Sequence, residues 1–308
     1  MPDLFQPLAP RRRAVLSTYV RTVTVNKGAD ASLVRISELA ESLADTAQAA
    51  PPVLIDVRWV VGSPPQHSAY LAGHIPTAHF CDLDADLADP PGAKGRHPLP
   101  DPMRLQQRMR SWGIDADSTV VAYDGGSSIA AARAWWVLRW AGLERVRVLD
   151  GGLAAWTRAG LRMEVGAATP AAGTFQVRPG SLPSLDATTA GSWAAQGRLV
   201  DVRAPERFRG ESEPIDPVAG HIPGARNLPI AANLAPNGTF KSAAELAIEF
   251  AGVARSSGHP EPLGVYCGSG VTAAQTMLAM HEAGIDAVLY PGSWSEWITD
   301  PSRPIATG

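Results

Sequence analysis

Apolar positions along the chain follow two different spacings. Short, nearly continuous apolar runs lie at 52–57, 119–123 and 146–149, and a longer stretch at 128–141 repeats alanine and tryptophan at helical intervals. Runs of that length suit strands buried on both faces, and the longer stretch suits a helix. The pattern returns with strands expected at 199–202, 263–266 and 287–290, and a helix over 271–283 closed by Gly284. Strands alternating with helices predict an α/β fold of two domains, each a parallel sheet with helices on both faces.

The second half repeats the first. Leu54-Ile55-Asp56-Val57-Arg58 returns as Leu199-Val200-Asp201-Val202-Arg203, and Gly73-His74-Ile75-Pro76 as Gly220-His221-Ile222-Pro223. Val121-Ala122-Tyr123-Asp124-Gly125 corresponds to Gly264-Val265-Tyr266-Cys267-Gly268, and Gly151-Gly152 to Gly292-Ser293. Four segments in the same order, about 145 residues apart, make one duplicated domain rather than a short-period solenoid. The expected organisation is an N-terminal extension at 1–30, a first domain at 31–165, a linker rich in Gly, Ala, Thr and Pro at 166–182, and a second domain at 183–308. The extension carries three arginines and a short apolar stretch interrupted by Arg21, which does not fit a secretory signal. It reads as poorly ordered, strand-like, or an over-long start of translation, and a cytoplasmic location is expected.

Composition narrows the chemistry. With 45% hydrophobic residues, a real core in each half is expected. A net charge of −3 argues against nucleic-acid binding through a broad basic field, and no apolar run is long enough to span a membrane. Two cysteines, Cys81 and Cys267, exclude a disulfide framework and a four-cysteine zinc site. No metal or cofactor is expected.

Cys267 stands where strand 263–266 turns into a helix through Cys267-Gly268-Ser269-Gly270-Val271-Thr272. Glycines there let the backbone turn tightly and aim N–H groups inward, and with the helix N-terminus they favour a thiolate or a persulfide anion. Gly268, Gly270 and Val271 are the expected binding positions of the loop. Ser269 and Thr272 offer hydroxyls to orient a donor or relay a proton, although Thr272 also reads as a helix cap. Cys81 has no such loop and reads as a small buried hydrophobe.

These motifs, with Gly292-Ser293-Trp294-Ser295-Glu296-Trp297, make the chain resemble tandem rhodanese-fold sulfurtransferases over nearly its whole length. The resemblance implies a catalytic second domain and a silent first domain, in which Asp124 replaces the cysteine. It implies transfer of sulfur from 3-mercaptopyruvate or thiosulfate, through a Cys267 persulfide, to cyanide, a thiol or thioredoxin. The loop sequence follows the mercaptopyruvate type. Arg207, in Arg207-Phe208-Arg209-Gly210, corresponds to a substrate arginine. The family's second arginine, after a Glu-Pro pair, is replaced by Ile215, so mercaptopyruvate is expected to bind more weakly or to recruit another group such as Arg209.

The resemblance also places His74 across the cleft as an acid/base group, with an aspartate completing a relay to the loop hydroxyl. No acidic residue lies between Arg58 and His74. Because His221 repeats the motif, His74 reads equally as a turn residue bonded to backbone. Asp201 and Arg203 read as a structural brace, since Asp56 and Arg58 duplicate them. Trp294 and Trp297 read as core more readily than as cleft walls. The sequence argues against a cysteine-loop phosphatase, because Ala273 stands where its phosphate-clamping arginine belongs and the loop is short. A degenerate pair acting as a non-catalytic binding or regulatory module, or as a persulfide carrier, is the alternative.

Overall fold

Side chains that alternate along a strand point to opposite faces, so a strand buried on both faces must feed two cores. The computed structural model, which describes residues 31–45, 50–256 and 262–308, shows this in both halves. In the first, β1 (Leu33–Val34), β2 (Val53–Asp56), β3 (His79–Phe80), β4 (Val120–Tyr123) and β5 (Val146–Leu149) form a parallel sheet of order β1-β5-β4-β2-β3. In the second, β6 (Leu199–Asp201), β7 (Arg226–Asn227), β8 (Leu263–Tyr266) and β9 (Ala287–Leu289) form a parallel sheet of order β7-β6-β8-β9. A parallel bridge from Ser184 to Leu289 stands where β1 pairs with β5, so the two topologies correspond.

Six of these strands coincide with the expected apolar runs. The two-residue strands β1, β3 and β7 are too short to show a periodicity. The N-terminal extension at 1–30 lies outside the described residues.

One face of each sheet looks outward and one looks inward. Leu54, Val121 and Tyr123 face an outer core in the first half, and Leu199, Tyr266 and Val288 face an outer core in the second. The intervening positions, Ile55, Val120 and Ala122 with Val200, Leu263 and Val265, face a single inner core common to both halves. Two helices, Ile129–Trp140 and Val271–Glu282, fill that inner core. The first is buried continuously from Ala130 to Leu138, and its alanines allow close helix approach. A helix apolar on all sides belongs in an interior. Each half therefore has an outer core of its own, as expected, and residues 31–308 also form one compact unit around a shared inner core.

Segment 166–182 contains no helix or strand, but it is laid along the first half. The Gly173 N–H donates to the Arg110 carbonyl at 2.8 Å and the Phe175 N–H to the Ile114 carbonyl at 3.0 Å, while the Phe175 ring is buried. No helix of the described residues is long and apolar enough to cross a membrane.

A shared core predicts shared unfolding. Trp136 is fully buried in it, and Trp136→Ala should cost about 3–5 kcal/mol. Urea titration followed by far-UV dichroism and tryptophan fluorescence should give one coincident transition; two separated transitions would contradict a common core.

Candidate active site

The same strand-to-helix turn is used twice, with different occupants. In the first half β4 runs into Asp124, whose carboxylate accepts N–H bonds from Gly126, Ser128, Ala130 and Ala131 at 2.8–3.4 Å. A built-in anion thus fills the cradle formed by the loop and the helix start. In the second half β8 runs into Cys267, and the Gly270 N–H lies 3.2 Å from its Sγ. Gly270 has φ +74°, and a Cβ there would stand 2.4 Å from the Pro291 carbonyl oxygen, so only glycine fits.

The segment after β9 straps this loop. Ser293 Oγ accepts from the Cys267 N–H at 3.2 Å, and the N–H groups of Trp294 and Ser295 donate to the carbonyls of Cys267 and Gly268. Trp294 and Trp297 turn into the outer core. Cys267 itself is buried. The other expected loop residues divide by surroundings. Val271 is packed in the inner core, and Thr272 is half-buried inside the helix. The N-cap is Gly270, with no side-chain cap, so the reading of Thr272 as a cap is corrected.

Ser269 is the loop hydroxyl that meets the first half, and the partner it meets is His97. The His97 ring lies 2.8 Å from Ser269 Oγ through Nδ1 and 2.9 Å from Asp84 Oδ1 through Nε2. A carboxylate only accepts, so Nε2 carries the proton and Nδ1 accepts from the serine hydroxyl. Trp59 packs its indole edge on the imidazole at 5.8 Å and donates to Asp84. Burial, reinforced by the Arg133 charge, pushes the His97 pKa down to about 4 against the pull of Asp84. The ring is therefore neutral at physiological pH.

His74 is not at this loop, which corrects the expectation for it. It is fully buried, stacks on Tyr70 at 4.2 Å and donates from Nδ1 to the Tyr70 carbonyl at 3.0 Å. His221 does the same, stacking on Phe208 at 3.7 Å and donating to its carbonyl at 2.7 Å. Both histidines are fold devices. So are the duplicated Asp-Val-Arg segments: Arg58 chelates Asp56 and donates to Gly73 O, and Arg203 chelates Asp201 and donates to Gly220 O.

Guanidinium groups converge over Gly268. A Cβ built there would stand 2.8 Å from Arg96 Nη2, 3.6 Å from Arg207 Nη2 and 3.7 Å from Asp216 Oδ2. Arg207 is tied to Glu213 at 2.6 Å and to Asp216 at 3.1 Å, and Arg96 is ion-paired with the other Asp216 oxygen. Glu213 also holds Arg203. Arg209 instead lies exposed and paired with Glu211, so its expected recruitment is corrected. Behind the loop, the buried Arg133 guanidinium donates to the carbonyls of Leu87, His97, Pro98 and Gly270.

Sequence reasoning missed Asp84, Arg96, His97 and Arg133. One signal was available for the loop residues: the stretch Gly95-Arg96-His97-Pro98 has no counterpart in the second half. In a duplicated chain, a polar motif carried by one copy is free of the fold's demands and points to chemistry.

Two measurements check this geometry. The His97 ring protons should titrate by NMR near pH 4, well below the ordinary histidine range; a midpoint near 6.5 would contradict the buried, cation-flanked ring. Asp124→Ala strips an anion from four N–H groups, and urea unfolding should show a loss of about 2–3 kcal/mol.

Comparison with known proteins gives consistent matches. The family described as Rhodanese-like domain matches residues 37–159 and again 186–300. A probable 3-mercaptopyruvate sulfurtransferase of Pseudomonas aeruginosa is 47% identical over 264 residues, 83% of this chain and 92% of that protein. A putative thiosulfate sulfurtransferase, SseB, of Mycobacterium tuberculosis is 46% identical over 276 residues, 87% of this chain and 96% of that protein. Among solved structures, SseA of Escherichia coli, a 3-mercaptopyruvate sulfurtransferase, superposes with TM-score 0.73 at 34% identity, covering 87% of this chain and all of that one.

Proposed function

The chain belongs to the rhodanese family as a tandem-domain sulfurtransferase, and from that premise we propose that it moves sulfur from 3-mercaptopyruvate to a thiol acceptor through a persulfide on Cys267. The observation that carries the choice of donor is the chain of hydrogen bonds Ser269–His97–Asp84, which begins two residues from Cys267. Thiosulfate releases sulfite, a stable anion that needs no proton. A mercaptopyruvate carbon leaves as an enolate and needs one.

The first step forms an S–S bond between the Cys267 thiolate and the donor sulfur while the donor C–S bond breaks. The electron pair passes to the methylene carbon. The donor's thiol proton, carried by Ser269 and the neutral His97, is returned to that carbon, so the products are the Cys267 persulfide anion and pyruvate. Asp84 holds the imidazole in the tautomer that takes and gives this proton. The cradle N–H of Gly270 and the helix start stabilise the sulfur anion before and after transfer. In the second step an acceptor thiolate attacks the outer sulfur, leaves as its own persulfide and restores the Cys267 thiolate, a ping-pong cycle. A small thiol, a thioredoxin-type dithiol or cyanide meets this requirement. The reaction belongs in the cytoplasm, where such thiols stay reduced.

Thiocyanate release from mercaptopyruvate and cyanide should be abolished by Cys267→Ser, and the wild-type protein treated with donor alone should gain the mass of one sulfur atom. Ser269→Ala should lower mercaptopyruvate turnover by about 100-fold or more and thiosulfate turnover far less. Equal losses with both donors would sink the relay; turnover retained without Cys267 would sink the persulfide.

A further inference from the structure

The cation missing at position 215 has a substitute, and a carboxylate of the protein occupies the place between the substitute and its partner. Ile215 is 44% exposed and carries no charge. Arg96 reaches the loop from the other half of the molecule, and its position is built in. Gly95 has φ +96°, and a Cβ there would stand 2.7 Å from the Gly292 carbonyl oxygen and 2.8 Å from Ser295 Oγ. The chain thus passes against the strap of the catalytic loop, and the Arg96 N–H donates to Ser295 Oγ at 3.0 Å. Burial lowers the Arg96 pKa, while the Cys267 charge opposes that shift, which places the two groups in one electrostatic field.

Asp216 and Glu213 differ in how they are held. Glu213 accepts from Arg203, from Arg207 and from the N–H groups of Ile215 and Asp216, and so is part of the scaffold. The Asp216 carboxylate rests between two guanidinium groups, one oxygen on Arg96 and the other on Arg207, next to Gly268. Its side chain is 3% exposed, whereas that of Arg96 is 28% exposed. Two guanidinium groups on the two oxygens of one carboxylate form the arrangement that recognises a carboxylate ligand.

Resting on the mercaptopyruvate reading above, we propose that Arg96 is the second donor-binding cation of this enzyme, and that Asp216 holds the donor carboxylate's place between Arg96 and Arg207 until the donor displaces it. Arg96 then sets donor affinity and Asp216 opposes it, while the sulfur chemistry stays with the Cys267 loop.

The experiment is steady-state kinetics with mercaptopyruvate and with thiosulfate, together with competition by pyruvate as a carboxylate probe that undergoes no sulfur transfer. Arg96→Gln should raise the mercaptopyruvate KM and the pyruvate inhibition constant about 10- to 100-fold, with kcat changed much less. Arg96→Lys should recover part of this, and Ile215→Arg in the Arg96→Gln background should recover most of it. Asp216→Asn should move both constants the opposite way, tightening pyruvate several-fold. An unchanged KM in Arg96→Gln, no recovery from Ile215→Arg, or weaker pyruvate binding in Asp216→Asn would each overturn the proposal. Larger effects on thiosulfate than on mercaptopyruvate would also overturn it, by assigning the site to a sulfonate-like head. Wild-type protein inactive with mercaptopyruvate would defeat the underlying reading instead, and pyruvate competition on thiosulfate turnover keeps the two failures apart.

Discussion

One buried guanidinium joins everything that meets at the candidate active site. Arg133 lies inside the helix Ile129–Trp140 at the seam of the two halves, fully enclosed. Its Nη1 and Nη2 groups donate to carbonyls of the His97 loop and to Gly270 at the start of helix Val271–Glu282. Enclosure pulls its pKa down to about 10, and the nearby Cys267 charge resists that fall. A charge buried so deeply is tolerable only where dipoles and an opposing charge compensate it. The carbonyls that compensate Arg133 are therefore held in place by it, and with them the spacing between His97 and the cysteine loop.

Duplication separates what the fold needs from what the chemistry needs. Histidines of the Gly-His-Ile-Pro turns, the Asp-Val-Arg braces and the tyrosines at the strand ends keep the same contacts in both halves. Tyr123 receives the Ile75 N–H as Tyr266 receives that of Ile222. The cradles are also shared, and they diverge only in what fills them. Asp124 satisfies its N–H groups with a permanent carboxylate and gains rigidity. Cys267 puts a sulfur atom in the corresponding place, with the Gly270 N–H directed at it. The first half consequently contributes through residues 84–97, from a short helix (Leu83–Asp86) into the loop that follows, which bring an imidazole, its carboxylate and a guanidinium to the other half's Cys267 loop.

Charge crosses the same seam in a connected line, from Arg203 through Glu213, Arg207 and Asp216 to Arg96. Its carboxylates are nearly solvent-free, so each fixes the orientation of the guanidinium groups it touches. Arg96 enters this line from the other half of the molecule, where Asp216 pairs it with Arg207.

The repeat, the parallel α/β architecture, six of the strands, the paired helices and the cysteine loop follow from local pattern alone. Apolar spacing and glycine placement act over a few residues, and such signals are written in order along the chain. The strand-to-helix turn at Cys267 is legible for the same reason, since strand, glycines and helix start are contiguous. The single inner core, the Ser269–His97–Asp84 contact and the pairing of Arg96 with Asp216 are not contiguous. Ser269 and His97 lie 172 positions apart, and Arg96 and Asp216 lie 120 apart. Which histidine and which arginine reach the Cys267 loop was decided by packing two sheets against one pair of helices, and that packing set His74 in a turn and brought His97 to Ser269.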